Sequence, residues 1–203
     1  GAPQINDEDL QAVSETFRSG WIGTGPRAAQ LEQAFCDYKK IPYAAALSSC
    51  TAALHLTLQA LGIRAGDEVI TSPMTFCATA NAIVHTGARP VFADIDSVTG
   101  LIDPRAIEKR ITPKTKAILP IHLCGRMCDM DSILSIAETH HLRVIEDCAH
   151  AIETTYQGRH AGTFGEAGCF SFYVTKNVTA IEGGMLITRN LELAEQVKIL
   201  ALH

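Results

Sequence analysis

Apolar runs of strand length alternate along this chain with amphipathic runs of helix length, the pattern of an α/β fold with a mainly parallel sheet. Two helices come first. One spans residues 7–18 and stops before Gly20; the other runs through Phe35 to Lys39, and the loop Gly23-Thr24-Gly25-Pro26 leads into it. Apolar runs then predict seven strands, at 43–47, 68–71, 90–93, 117–121, 143–145, 169–172 and 185–188. Helical periodicity predicts helices at 51–61, 75–85, 104–110, 130–140 and 191–202. Nothing resembling a C-cap glycine closes the last helix before His203, which reads as a chain cut short.

Composition narrows the class. The chain has 203 residues, 47% of them hydrophobic and 19% charged, enough for one large domain with an extensive core. A net charge of -5, with no run of Lys or Arg, argues against nucleic acid as a partner. No apolar stretch approaches the roughly 20 residues of a membrane helix. The N-terminal Gly1-Ala2-Pro3-Gln4 lacks a signal pattern, so a soluble cytoplasmic protein is expected. Seven cysteines, an odd number in apolar or small-residue surroundings, read as reduced thiols rather than a disulfide framework.

Several segments could carry chemistry. Ser48-Ser49-Cys50-Thr51 lies between a small-residue strand and a helix, where hydroxyls and free helix N–H groups can hold an anion. Read locally, the same residues suit an ordinary helix cap better, since most such caps hold no ligand. Glu146 and Asp147 fall at the C-terminal end of a buried parallel strand, where open α/β sheets bind ligands. A carboxylate there could ligate a metal, act as a base or keep a cofactor's ring nitrogen protonated, or it could simply cap the chain. Lys176 follows an apolar strand and precedes Glu182-Gly183-Gly184. A solvated charge and a nucleophilic amine are both open readings for it.

His122, Cys124 and Cys128 form an H-x-C-x3-C cluster whose spacing suits zinc poorly, so no metal is expected. Cys50 and Cys148 could be nucleophiles but read better as small buried hydrophobes. The glycine loop at 23–26 lacks the G-x-G-x-x-G spacing of a dinucleotide site, and no lysine phosphate loop is present.

Together, an anion-binding turn, a strand ending in Asp147 and a lysine about thirty residues later resemble the fold-type-I pyridoxal-phosphate enzymes. The nearer resemblance is to nucleotide-sugar aminotransferases of the DegT type. It is carried by Ser19-Gly20-Trp21-Ile22-Gly23-Thr24-Gly25-Pro26, Ser49-Cys50-Thr51-Ala52-Ala53-Leu54, Gly66-Asp67-Glu68-Val69-Ile70, Glu146-Asp147-Cys148-Ala149-His150-Ala151, and Thr175-Lys176-Asn177 with Glu182-Gly183-Gly184.

The resemblance implies a three-layer α-β-α sandwich forming a pyridoxal-phosphate-binding large domain over residues 1–203, with an N-terminal helical segment and no C-terminal small domain. By it, Lys176 would hold pyridoxal 5'-phosphate as a Schiff base, Asp147 would pair with the ring nitrogen, and His150 would lie near the phenolic oxygen. Phe76 would stack on the ring. Cys50, Thr51 and Ser171 would hold the phosphate, and Gly23, Thr24 and Gly25 would touch the substrate. The implied reaction moves an amino group from glutamate, leaving 2-oxoglutarate, to a nucleotide-linked keto sugar in a homodimer.

Cys50, Cys124 and Cys148 depart from the usual residues, and none removes a catalytic group. A branch of the family with histidine at the lysine position dehydrates instead, so Lys176 favours transamination. A desulfurase, lyase or aldolase fits the Gly23–Pro26 and Lys176 contexts poorly, and a non-catalytic remnant or binding module is the third reading. Such enzymes run to about twice this length. This chain alone is therefore expected to bind cofactor weakly.

Overall fold

The computed structural model describes residues 3–202; Gly1, Ala2 and His203, which bear on the expectations about the two chain ends, lie outside the described residues. In chain order the elements are α1 (Asp7–Arg18), α2 (Pro26–Lys39), β1 (Tyr43–Leu47), α3 (Cys50–Ala60), β2 (Glu68–Thr71), α4 (Ala78–His85) and β3 (Arg89–Phe92). These are followed by α5 (Pro104–Glu108), β4 (Thr115–Leu119), a 3-10 turn (Leu123–Gly125), α6 (Met130–Thr139) and β5 (Arg143–Asp147). A short hairpin of β6 (Thr155–Tyr156) and β7 (Arg159–His160) precedes β8 (Ala167–Ser171), β9 (Gly184–Thr188) and α7 (Leu191–Leu200).

Seven strands form one sheet in the order β1-β9-β8-β5-β4-β2-β3. Strand β9 is antiparallel to both of its neighbours, and the other four pairings are parallel. Six strands therefore run one way and β9 alone runs back. Side-chain alternation divides the sheet's apolar residues between two faces. Val69, Leu119, Ile145, Cys169 and Leu186 pack under α3, α4 and α7. Ile70, Ile118 and Val144 pack against α5 and α6, while Phe170, Met185 and Ile187 meet Phe35 and Cys36 of α2. The result is the expected three-layer sandwich.

Three expectations need correcting. The fourth helix begins at Ala78 rather than near residue 75, because Cys77 is its N-cap and Ser72 Oγ accepts from the Met74 amide in a preceding turn. The last helix closes at Leu200, where Ala201 serves as its cap and donates to the Val197 carbonyl. The β6–β7 hairpin was not foreseen; its turn at Gln157 and Gly158 takes positive φ of 51° and 77°, as a two-residue hairpin turn requires.

Candidate active site

The C-terminal ends of β1, β2, β4, β5 and β8 lie along one edge of the sheet, and β9 begins there because it runs the other way. A cavity of about 510 Å³ opens at this edge, the place where open α/β sheets bind ligands. Its walls bring together Cys50, Thr51, Phe76, Asp147, His150, Ser171 and Lys176. These seven residues come from five separate stretches of sequence.

One wall is the N-terminus of α3. Ser49 caps the helix, its Oγ accepting from the Ala52 amide at 3.1 Å. The Cys50 and Thr51 amides have no carbonyl within their own helix to bond, and the helix dipole makes this end favourable to an anion. The turn is thus a capped helix start whose Cys50 and Thr51 line the cavity, so the cap leaves the anion-binding reading open. Gly184 permits the geometry, because a Cβ there would come within 2.2–2.5 Å of the Ser49 carbonyl carbon and oxygen and the Cys50 nitrogen.

The floor is set by alternation along β5, which sends Glu146 and Asp147 to opposite faces. Glu146 is fully buried beneath the sheet and takes four hydrogen bonds, from His122 Nε2 (2.9 Å) and the amides of Gly162, Phe164 and Gly165 (2.7–2.8 Å). Burial opposes its charge, but the His122 bond and these amides outweigh that and hold its carboxyl below the usual range. Asp147 faces the cavity. Thr79 Oγ1 donates to its Oδ2 at 2.8 Å and the Ala149 amide to its Oδ1 at 3.1 Å, while burial pushes its carboxyl up from the ordinary value. A cation placed against Asp147 would relieve that burial cost.

Lys176 stands on the loop between β8 and β9, half-buried, with its amide bonded to the Tyr173 carbonyl. The His150 Nδ1 accepts from the Cys124 amide at 3.3 Å, which leaves Nε2 as the protonated nitrogen of the neutral ring. Burial, then Lys176, lowers the His150 pKa and keeps the ring neutral. Phe76 is 74% exposed at the cavity mouth, with one ring face open to whatever enters. Ser171 Oγ accepts from the Tyr173 amide and lines the same wall.

Other candidates fall elsewhere. Gly23, Thr24 and Gly25 line a separate groove between α2, α3 and α7, which shares Glu182 with the cavity. The zinc cluster is not assembled: Cys124 is exposed, Cys128 is buried, and both His122 nitrogens are taken, by Glu146 and by the Cys128 amide. Ligand atoms of His122, Glu146 and Cys148 do converge within 4.8 Å, but the four hydrogen bonds on Glu146 and two on His122 already saturate that pair. Burial pushes the Cys50 and Cys148 thiols well up, so both are neutral hydrophobes rather than nucleophiles.

Two contributors escaped the sequence reading. Thr79 is buried on α4, bonds Asp147, and is itself bonded to Thr75 at 2.7 Å. Its signal was a threonine inside an apolar helical run. Glu153, which accepts from Asn177 Nδ2 at 3.0 Å beside Lys176, carried no signal in the pattern.

The seven-stranded sheet order and the close likeness to solved sugar aminotransferases give this chain a fold-type-I aminotransferase architecture. The chain belongs to the DegT/DnrJ/EryC1/StrS aminotransferase family, whose model matches residues 3–203. It is 53% identical over 201 residues to the spore coat polysaccharide biosynthesis protein SpsC of Bacillus subtilis, covering 99% of this chain and 52% of SpsC. Spr1654 from Streptococcus pneumoniae, solved in its PLP form, superposes with a TM-score of 0.96 at 35% identity, over 100% of this chain and 57% of that one. DesI, solved in the presence of its TDP-sugar product, gives 0.92 at 37%, over 98% and 51%. The chain thus spans about half the length of the relatives it matches. No helix among the described residues is long and apolar enough to cross a membrane.

Proposed function

We propose that this chain supplies the cofactor-holding large domain of a pyridoxal-phosphate-dependent aminotransferase that aminates a nucleotide-linked keto sugar with glutamate as donor. The observation that carries the reading is Asp147, a desolvated carboxylate facing the same cavity as Lys176 and the free amides of α3. The donor set fits the cofactor. A phosphate suits the Cys50 and Thr51 amides with the Thr51 and Ser171 hydroxyls, a pyridinium suits Asp147, and an aldehyde suits the Lys176 amine. Support for the sugar nucleotide comes from DesI and its TDP-sugar product.

When bound, pyridoxal phosphate supplies an aldehyde that accepts amines and a protonated ring that draws electrons from the donor's α-carbon. Asp147 keeps that ring protonated, since ionised it favours the pyridinium and protonated it would be a neutral buried acid. Lys176 Nζ would be the amine that anchors the aldehyde and, when free, the base that takes the proton from the donor's α-carbon. His150 would offer the proton on Nε2 to the phenolic oxygen, and Phe76 would supply an aromatic face to the ring. The separate groove at Gly23, Thr24 and Gly25 is assigned to the sugar nucleotide. The protein works as a homodimer in the cytoplasm, where its seven free thiols stay reduced.

The test is direct. Pyridoxal phosphate added to the full-length protein should give a Schiff-base absorbance that Lys176→Ala abolishes, with amino transfer from glutamate to keto sugars falling at least about 10²-fold. A Lys176→Ala protein that kept both would sink the assignment.

A further inference from the structure

Lys39, the last residue of α2, has a side chain only 1% exposed. Its ammonium donates to the Ile152 carbonyl at 2.6 Å and reaches the Ala161 carbonyl at 3.3 Å, and it lies 4.4 Å from the centre of the Phe170 ring. Its hydrogen-bond partners are carbonyls rather than a carboxylate, so among the described residues no ion pair offsets the cost of burying the charge. An apolar side chain of similar length would fill the space without that cost. The ammonium therefore has to be explained by what it holds.

The two carbonyls bracket the β6–β7 hairpin, and the nearer one lies two residues beyond His150. The next residue, Glu153, accepts from Asn177, which follows Lys176. Ile152, Asn177, His150 and Lys176 line one depression of about 290 Å³ next to the main cavity. Lys39 thus bonds the segment that follows His150, and that segment in turn bonds the loop carrying Lys176.

We propose that Lys39 is a positioning residue for the active site: through the Ile152 and Ala161 carbonyls it fixes the segment carrying His150, and through the Glu153–Asn177 bond it steadies the loop carrying Lys176. The proposal rests on the roles given above to His150 and Lys176. Burial lowers Lys39 to about 8, against the opposing pull of Cys148, Glu146 and Glu153; His160, Lys40 and Tyr38 are the other titratable groups around it. Losing its proton turns charge-assisted hydrogen bonds into weaker neutral ones, so the hold slackens as pH rises through that value. Global stability moves the opposite way. A lysine whose folded pKa lies below its ordinary 10.5 is a cost at neutral pH, and that cost is relieved between about 8 and 10.5.

That opposition separates positioning from packing. Amide hydrogen exchange and pyridoxal phosphate titration would be run on the full-length protein, its Lys39→Met and Lys39→Arg variants and Asn177→Ala, at pH 7 and 9. In Lys39→Met, exchange over residues 150–161 and 174–180 should quicken about tenfold while β2 and β4 stay protected, and cofactor affinity should fall about fivefold. Lys39→Arg, which keeps the charge, should recover most of both, and Asn177→Ala should loosen 174–180 alone. In the unaltered protein the two segments should loosen between pH 7 and 9, and in Lys39→Met that step should vanish. Unchanged exchange and affinity in Lys39→Met, with only a shifted unfolding midpoint, would reduce Lys39 to packing. Should Lys39→Met not fold, the pH step, Lys39→Arg and Asn177→Ala decide alone. If the unaltered protein bound no pyridoxal phosphate, the functional reading would fall and the exchange data would still judge the hold.

Discussion

Asp147 is costly to the fold, and the proposed site depends on it. Its carboxyl is pushed above its ordinary value by burial, so its favourable contribution belongs to low pH and is lost as pH rises through the folded value. When ionised it is a buried charge in the cavity floor, partly compensated by Thr79 and the Ala149 amide. Asp147→Asn should therefore leave the cofactor-free protein as stable or raise it by about 1 kcal/mol at pH 7. Transamination should fall about 10²-fold or more. Urea unfolding beside steady-state rates checks both halves, and a loss of several kcal/mol would mark the carboxylate as structural instead. Asp147 was legible because strand ends are where such sheets bind ligands. Thr79 was not, because a buried threonine on a helix face differs from an alanine only once its partner is known.

At the scale of elements, two close approaches hold the site's shape. Glu146 ties β5 to the 162–165 turn through three backbone amides and to His122 through a fourth bond. Glu146→Ala would strand those buried donors, at about 3–5 kcal/mol. Its folded pKa lies below the ordinary 4.5, so this stability is present above that value and is lost as pH falls through the lower one. The difference in urea midpoint between the protein and Glu146→Ala should accordingly shrink on acidification.

Gly184 governs the second approach, where β9 passes the start of α3. Gly184→Ala forces backbone against backbone, which should cost about 1–3 kcal/mol and weaken cofactor binding more than catalysis once bound. Comparing Kd with kcat in that variant tests it.

The direction of β9 shows why elements were easier to read than their arrangement. Apolar runs mark strands without giving polarity. The cue lay in the link: residues 172–183 contain no helical pattern, and neighbouring strands joined without a crossover run antiparallel. That reversal places Gly184 beside Ser49 and leaves the linking loop free to carry Lys176 to the cavity.

At the scale of the molecule, α1 stands apart from everything that makes the rest cohere. It buries no residue, and Leu10, Val13 and Phe17 form one apolar face, each 55–68% exposed, continued by Trp21 and Ile22. A twelve-residue helix is marginal by itself, and here an Asn6–Asp9 capping box supports its start. An amphipathic helix with an open face is made to be covered. In the homodimer proposed above, that stripe is a surface for the partner or for the further length that relatives possess. Leu10→Ser with Phe17→Ser should then move the unfolding midpoint of the 203-residue chain by no more than about 0.5 kcal/mol, as befits surface positions. The same pair should lower self-association in sedimentation. A loss above about 2 kcal/mol in the 203-residue chain would mean that α1 already packs on its own domain, and the stripe would then have no partner to wait for.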